Sequence, residues 1–139
     1  MGFLDQYAER NWLFSRLAKG VGYALLASIL VYCFYWLFFR NWREERQVSQ
    51  FLTELQSSDY EAAYQRWGCS VAEPCRFYPY DDFLEDWGPE SPLGAVDHFE
   101  LGRSYTQEGG VIIELSINGE KQQNLWVQQD NRAISYFPY

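Results

Sequence analysis

With one histidine, three cysteines and no glycine-rich phosphate loop in 139 residues, the chain lacks the parts of most familiar catalytic and cofactor sites. Cys69 and Cys75 in a C-x5-C spacing, a distant His98 and scattered acids do not make the four-ligand pattern of a zinc site. Neither a nucleophile elbow nor a dinucleotide fingerprint occurs, so no cofactor and no catalytic residue is expected. Basic residues are also short, eleven Lys and Arg against nineteen Asp and Glu. The deficit falls on residues 47–139, with five basic and fifteen acidic side chains, whereas residues 1–46 carry six and four. Such a surface repels nucleic-acid phosphates and favours a basic partner. A hydrophobic share of 47% excludes a collagen-like, low-complexity or wholly disordered chain.

Charge is missing altogether from Gly20 to Phe39. As a helix this stretch rises about 30 Å at ~1.5 Å per residue, the thickness of a bilayer's hydrocarbon core. It is longer than a signal-peptide core and is followed by bulky, charged residues (Arg40, Asn41, Trp42, Arg43) rather than a small-x-small cleavage site, so a retained single-pass anchor is expected. Basic flanks do not orient it: Arg10, Arg16 and Lys19 precede the span, and Arg40, Arg43 and Arg46 follow it. The cysteines decide instead. Cys69 and Cys75 flank a short loop and suit a disulfide in an oxidising compartment, worth ~2 kcal/mol in the chain-entropy model. Two free thiols are the alternative if the domain is cytoplasmic. The expected topology is a bitopic protein of the plasma or inner membrane, N-terminus cytoplasmic and C-terminal domain extracytoplasmic.

Two features of the span point to packing against other helices. Gly20, Ala24 and Ser28 recur every four residues and line one face with small side chains, which let backbones approach closely. At the other end Tyr32, Phe34, Tyr35, Trp36, Phe38, Phe39 and Trp42 put seven aromatics in eleven positions, more than an interfacial belt requires. Cys33 among them reads as a small apolar filler. Before the span, Phe3, Leu4, Tyr7, Phe14 and Leu17 share one helical face, and Asp5, Glu9, Arg16 and Lys19 the other. Residues 1–19 therefore form an amphipathic segment that lies on a membrane or docks in a groove. Residues 40–46 read as a charged juxtamembrane helix or linker, with no breaker between Arg40 and Gln56, so that the anchor runs straight into the domain.

Residues 47–139 read as an α+β domain of two to three helices on a four-stranded antiparallel meander. Val48, Phe51, Leu52 and Leu55 have helical spacing. Ser58 and Glu61 fit a capping box opening a second helix that stops at Gly68. Asp81 to Trp87 make one or two further turns ended by Gly88 and Pro89. From Ala95 the period becomes two, with Phe99, Leu101 and Tyr105 on one face of a strand and Val111, Ile113, Leu115 and Ile117 on one face of the next. Gly109-Gly110, Asn118-Gly119 and Asp130-Asn131 mark tight turns, giving strands near 95–107, 110–118, 120–129 and 132–138.

The helix SSDYEAAYQRW, the short FLEDWGP helix and the terminal LWVQQDNRAISYF hairpin resemble the nuclear transport factor 2-like (cystatin-like) superfamily over about residues 47–139. The resemblance implies a cone of helix and curved sheet whose mouth serves as pocket, ligand site or protein interface, and so a scaffold and not a task. In enzymes of that superfamily, carboxylates with His, Tyr or Arg sit deep in the cone. The nearest equivalents are Asp97, His98, Arg103 and Tyr105. Alternation puts His98 on the opposite strand face from the other three, which separates it from any shared pocket unless a bulge intervenes.

The remaining candidates are surfaces. Asp81, Asp82, Glu85 and Asp86 form the densest acidic patch, available to a basic partner or simply solvated at a helix start. Tyr78, Tyr80, Trp87, Tyr136, Phe137 and Tyr139 supply aromatics that serve as rim anchors or as core. The sequence thus points to a non-catalytic single-pass accessory or assembly subunit of a larger respiratory, photosynthetic or secretory membrane complex. Its partners would be the lipid bilayer and other membrane subunits, met through Gly20, Ala24, Ser28, Tyr32, Tyr35, Trp36 and Phe39. The alternatives are an anchored ligand-binding module using a cavity lined by Phe99, Leu101 and Tyr105, with or without weak enzymatic activity, and a homodimer driven by the small-residue face.

Overall fold

The computed structural model describes the backbone of residues 2–137 and the side chains in that range apart from those of residues 3–9. The chain divides into two compact units, residues 1–40 and 41–139. The first is a single helix, α1 (Gly2–Phe39), long and apolar enough between its charged flanks to cross a membrane. Every described side chain from Arg10 to Arg40 is exposed. Phe3, Leu4, Tyr7, Asp5 and Glu9, which carry most of the expected amphipathic face, lie outside the described side chains.

Helix α1 does not continue into the second unit. Arg40 and Asn41 form a turn, and a new helix, α2 (Trp42–Gln56), begins with Asn41 at φ −107° and ψ 10°. The Asn41 side chain leaves the helix end uncapped because it is spent on a strand of the sheet, described below. Residues 42–46 are helical, the helix alternative for the charged segment, and form the start of α2. Helix α2 buries Val48, Phe51, Leu52 and Leu55 as their spacing predicts.

The next helix, α3 (Tyr60–Gln65), starts one residue later than the capping-box reading. Ser58 closes α2 with φ +61°, and Asp59 caps α3 by accepting from the Ala62 amide at 3.2 Å. A chain reversed through Ser58 leaves the next side chain, Asp59, facing the free amides. Helix α4 (Tyr80–Trp87) ends at Gly88, where a Cβ would strike the Leu84 carbonyl.

The sheet has five antiparallel strands, not four: β1 (Phe99–Gln107), β2 (Gly110–Ile117), β3 (Glu120–Lys121), β4 (Leu125–Gln128) and β5 (Ile134–Tyr136), with β1-β2-β4-β5 side by side and β3 paired to β2. The expected third strand breaks at Gln122–Asn124, so β3 and β4 both lie on β2. Asn118 and Gly119, at φ +52° and +82°, make the expected positive-φ hairpin turn. Elsewhere the turn positions shift. Gly109 (φ +85°) is in the turn, while Gly110 opens β2 beneath the Trp126 ring, with no room for a Cβ. In the last turn Arg132, not Asn131, takes the left-handed conformation, at φ +58°.

A bulge between Leu101 and Ser104 reverses the faces of β1: Leu101 pairs with Leu115 but Ser104 with Ile113. Phe99 and Leu101 pack toward the core, whereas Tyr105, expected beside them, is 43% exposed. Beyond the bulge Ser104 takes the inward position, which the alternating pattern assigned to Tyr105.

Helix α2 packs on β1, β2 and β4, with α3 between α2 and α4. Their common core includes Phe51, Leu52, Tyr64, Phe83, Val111, Ile113, Leu115, Ile117, Leu125, Val127 and Ile134, each 2% exposed or less. Aromatic rings fill one end. Phe51 meets Trp87 at 5.1 Å between centroids, and Trp67 meets Tyr78 at 4.8 Å and Tyr136 at 5.0 Å.

Candidate functional site

On α1 the small-residue face is open. A Cβ added at Gly20 would meet nothing within 4 Å, and the Ser28 hydroxyl donates to the Ala24 carbonyl at 2.8 Å, so it demands no outside partner. The aromatic end is partly self-organised: Tyr35 stacks on Phe39 with centroids 5.2 Å apart, and the Arg40 guanidinium lies 4.9 Å over the Trp36 ring. Tyr32, Tyr35, Trp36 and Phe39 nevertheless stay exposed, at 48–68%.

In the domain, the four acids of the expected patch are all exposed on α4 and differ in what they touch. Asp86, although exposed, is hydrogen-bonded to the domain, its Oδ2 accepting from the Tyr78 hydroxyl at 2.7 Å and the Tyr136 hydroxyl at 2.9 Å, while the two phenols lie 3.2 Å apart. Burial, then hydrogen bonding, pushes the Tyr78 phenol well above the usual range; burial does the same to Tyr136. Asp81 and Glu85, one helical turn apart, line an open cleft of about 420 Å³ with Leu84, Pro89 and Glu90. Asp82 is exposed outside it. Glu90 joins only because the chain turns back after Gly88, which local spacing does not reveal.

The expected rim aromatics serve mainly as core. Trp87 is 5% exposed, and Tyr78, Tyr80 and Tyr136 pack against the buried cluster. Phe137 lines a small cleft with Lys121, Gln122, Gln123 and Asn124, and Tyr139 lies outside the described residues. Cys69 and Cys75 stand bonded, their Cα atoms 5.3 Å apart. The sequence does not reveal how that loop is tied down. Tyr64, fully buried on α3, accepts from the Cys75 amide at 3.0 Å and donates to the Tyr78 carbonyl at 2.7 Å.

Asp97 and His98 are exposed at the approach to β1, their amides held by the Asn118 side-chain oxygen at 2.9 and 3.3 Å. Arg103 sits in the bulge, also exposed. These residues do not face a common interior with Phe99 and Leu101. Among the described residues, no three His, Cys, Asp or Glu side chains converge as metal ligands.

Two groupings were not legible beforehand. One ties the start of α2 to β1. The Ser104 hydroxyl donates to Glu45 at 2.6 Å and accepts from the Asn41 amide nitrogen at 3.1 Å, and the Thr106 hydroxyl donates to Asn41 at 2.8 Å. The other is a cleft of about 440 Å³ lined by Trp42, Arg43, Arg46, Gln47, Gln50 and Arg132. The domain's strongest ion pair lies elsewhere, Arg66 gripping both Glu54 oxygens at 2.6–3.1 Å. Compared with protein-family models, curated proteins and solved structures, the chain finds no match in any of the three.

Proposed function

We propose that this chain is a non-catalytic, single-pass accessory or assembly subunit of a larger membrane complex, respiratory, photosynthetic or secretory. Residues 20–39 of α1 cross the bilayer, the N-terminus is cytoplasmic, and a domain of the nuclear transport factor 2-like kind stands outside. The observation that carries this reading is the surface of α1, exposed at every described position from Arg10 to Phe39, with Val21, Leu25, Ile29, Tyr32 and Phe38 at 57–68%. Lipid accounts for the apolar side chains. An open small-residue face and an aromatic cluster beyond an interfacial belt call for neighbouring helices. A disulfide beside the aromatic core supports the sidedness.

The test is purification of the tagged full-length chain from its native membrane in a mild detergent, with identification of the proteins that remain in stoichiometric amount. A defined set of membrane subunits is the expected result. Recovery of the chain alone, or only with copies of itself, would overturn the accessory-subunit reading.

A further inference from the structure

The cleft at the start of α2 is built almost wholly of hydrogen-bond donors. Arg43 and Arg46 come from the first two turns of the helix, and Arg132 from the β4–β5 turn some ninety residues later. Gln47, also in the lining, accepts at its side-chain oxygen from Arg66 at 3.3 Å. The Arg46 guanidinium is steadied 5.2 Å over the Trp42 ring. No carboxylate lines the cleft, and none of its three arginines is ion-paired among the described residues. Residues 41–139 contain only seven basic side chains against seventeen acids, so three arginines in one cleft are a marked concentration. Arginine forks pair bidentately with the oxygens of phosphates and carboxylates.

We propose that this cleft binds the phosphate of an anionic membrane phospholipid headgroup. A polyanion such as nucleic acid would meet the acidic remainder of the domain, whereas one headgroup fits between the arginines. Chain reach selects lipid over phosphate in solution. Arg43 and Arg46 follow Phe39 by four and seven residues, within about 15 and 25 Å at the ~3.6 Å limit per residue, so the headgroup layer is accessible from the end of the span. Exposed Trp42 at the rim is a side chain suited to that layer. The inference rests on α1 being in a bilayer.

Arg132 offers a clean test, because glycine adopts φ +58° more readily than arginine, so Arg132→Gly removes the guanidinium without straining the turn. The full-length chain in a neutral detergent would be titrated with phosphatidylglycerol, phosphatidylcholine or inorganic phosphate, and retained adducts counted by native mass spectrometry. One phosphatidylglycerol should be held in preference to phosphatidylcholine. Arg132→Gly should lower its retention at least fivefold, the loss of one charge-assisted pairing to the phosphate. Arg43→Gln/Arg46→Gln should lower it further, and Arg103→Gln, outside the cleft, should not change it. Equal retention of the two lipids, an Arg132→Gly chain that holds phosphatidylglycerol as well as wild type, or binding of inorganic phosphate without lipid preference would each overturn the proposal. Resistance of the wild-type chain to alkaline carbonate extraction separates the two readings. Extraction would refute the anchor, whereas a retained chain without lipid preference would refute only the cleft.

Discussion

Tyr64 shows how much one side chain can hold. Its ring is fully buried against Phe83, centroids 5.2 Å apart, and its hydroxyl joins the Cys75 amide and the Tyr78 carbonyl. Tyr64→Phe keeps the ring and takes one partner from each of these backbone groups, which costs about 1–3 kcal/mol. For a domain of this size the melting temperature should fall by roughly 5–15 °C, read by thermal denaturation. Tyr78 and Tyr136 make a different prediction. Burial, with hydrogen bonding at Tyr78, holds both phenols above their ordinary pKa, so the folded state favours their neutral forms. That contribution is fully present below the unfolded phenol value of about 10 and declines as pH rises above it, because only the unfolded chain ionises freely. Melting temperature should therefore drop from pH ~10 upward. Tyr78→Phe should lower it at pH 7, by losing the bond to Asp86, and make its alkaline decline shallower.

At the scale of elements, the parts of the domain fixed by local periodicity were legible and the parts fixed by remote contacts were not. Val48, Phe51, Leu52 and Leu55 on α2, and Val111, Ile113, Leu115 and Ile117 on β2, are buried as their three-to-four and two-residue spacings require. Strand β1 departs from alternation at its bulge, and the local mark of that step is Gly102, which lies in it. Its effect is to turn Ser104 and Thr106 toward Asn41 and Glu45, which lie some sixty residues earlier in the chain. The same remote contacts explain the break before α2. A helical pattern without a breaker predicts continuity through Arg40 and Asn41, but Asn41 is drawn off to β1. Ser104→Ala would leave Asn41 and Glu45 short of a partner and cost about 1–2 kcal/mol. Amide hydrogen exchange should locate the change in the first turn of α2, with the protection of β4 reduced much less. Equal loss throughout the domain would show that the latch serves global stability rather than this junction. The arginine cleft was hidden for a related reason. Arg43 and Arg46 are visible as a basic flank, but only the β4–β5 turn brings Arg132 to them.

At the scale of the molecule, the two units divide the physical demands between them. Among the described residues the buried core is drawn from residues 48–134, so the domain's apolar demand is met within itself. On helix α1, from Val21 to Phe39, the large apolar side chains are each 48–74% exposed. Burying a side chain of this kind gains ~1.5–3 kcal/mol, and more than a dozen of them exceed any plausible stability of a small domain. A chain of residues 41–139 should therefore fold with the melting temperature of the full-length domain and lose its membrane partners. Within the full chain, Ala24→Leu/Ser28→Leu separates anchoring from assembly. Lipid solvates leucine as readily as alanine, so membrane insertion and domain melting should not change, but two bulky groups on the small-residue face would hold a neighbouring backbone away. Co-isolation of stoichiometric partners should then fall severalfold while carbonate resistance persists. If the full partner set survives, the contact lies with the aromatic end or the domain; if only a self-paired form is lost, the small face serves a homodimer.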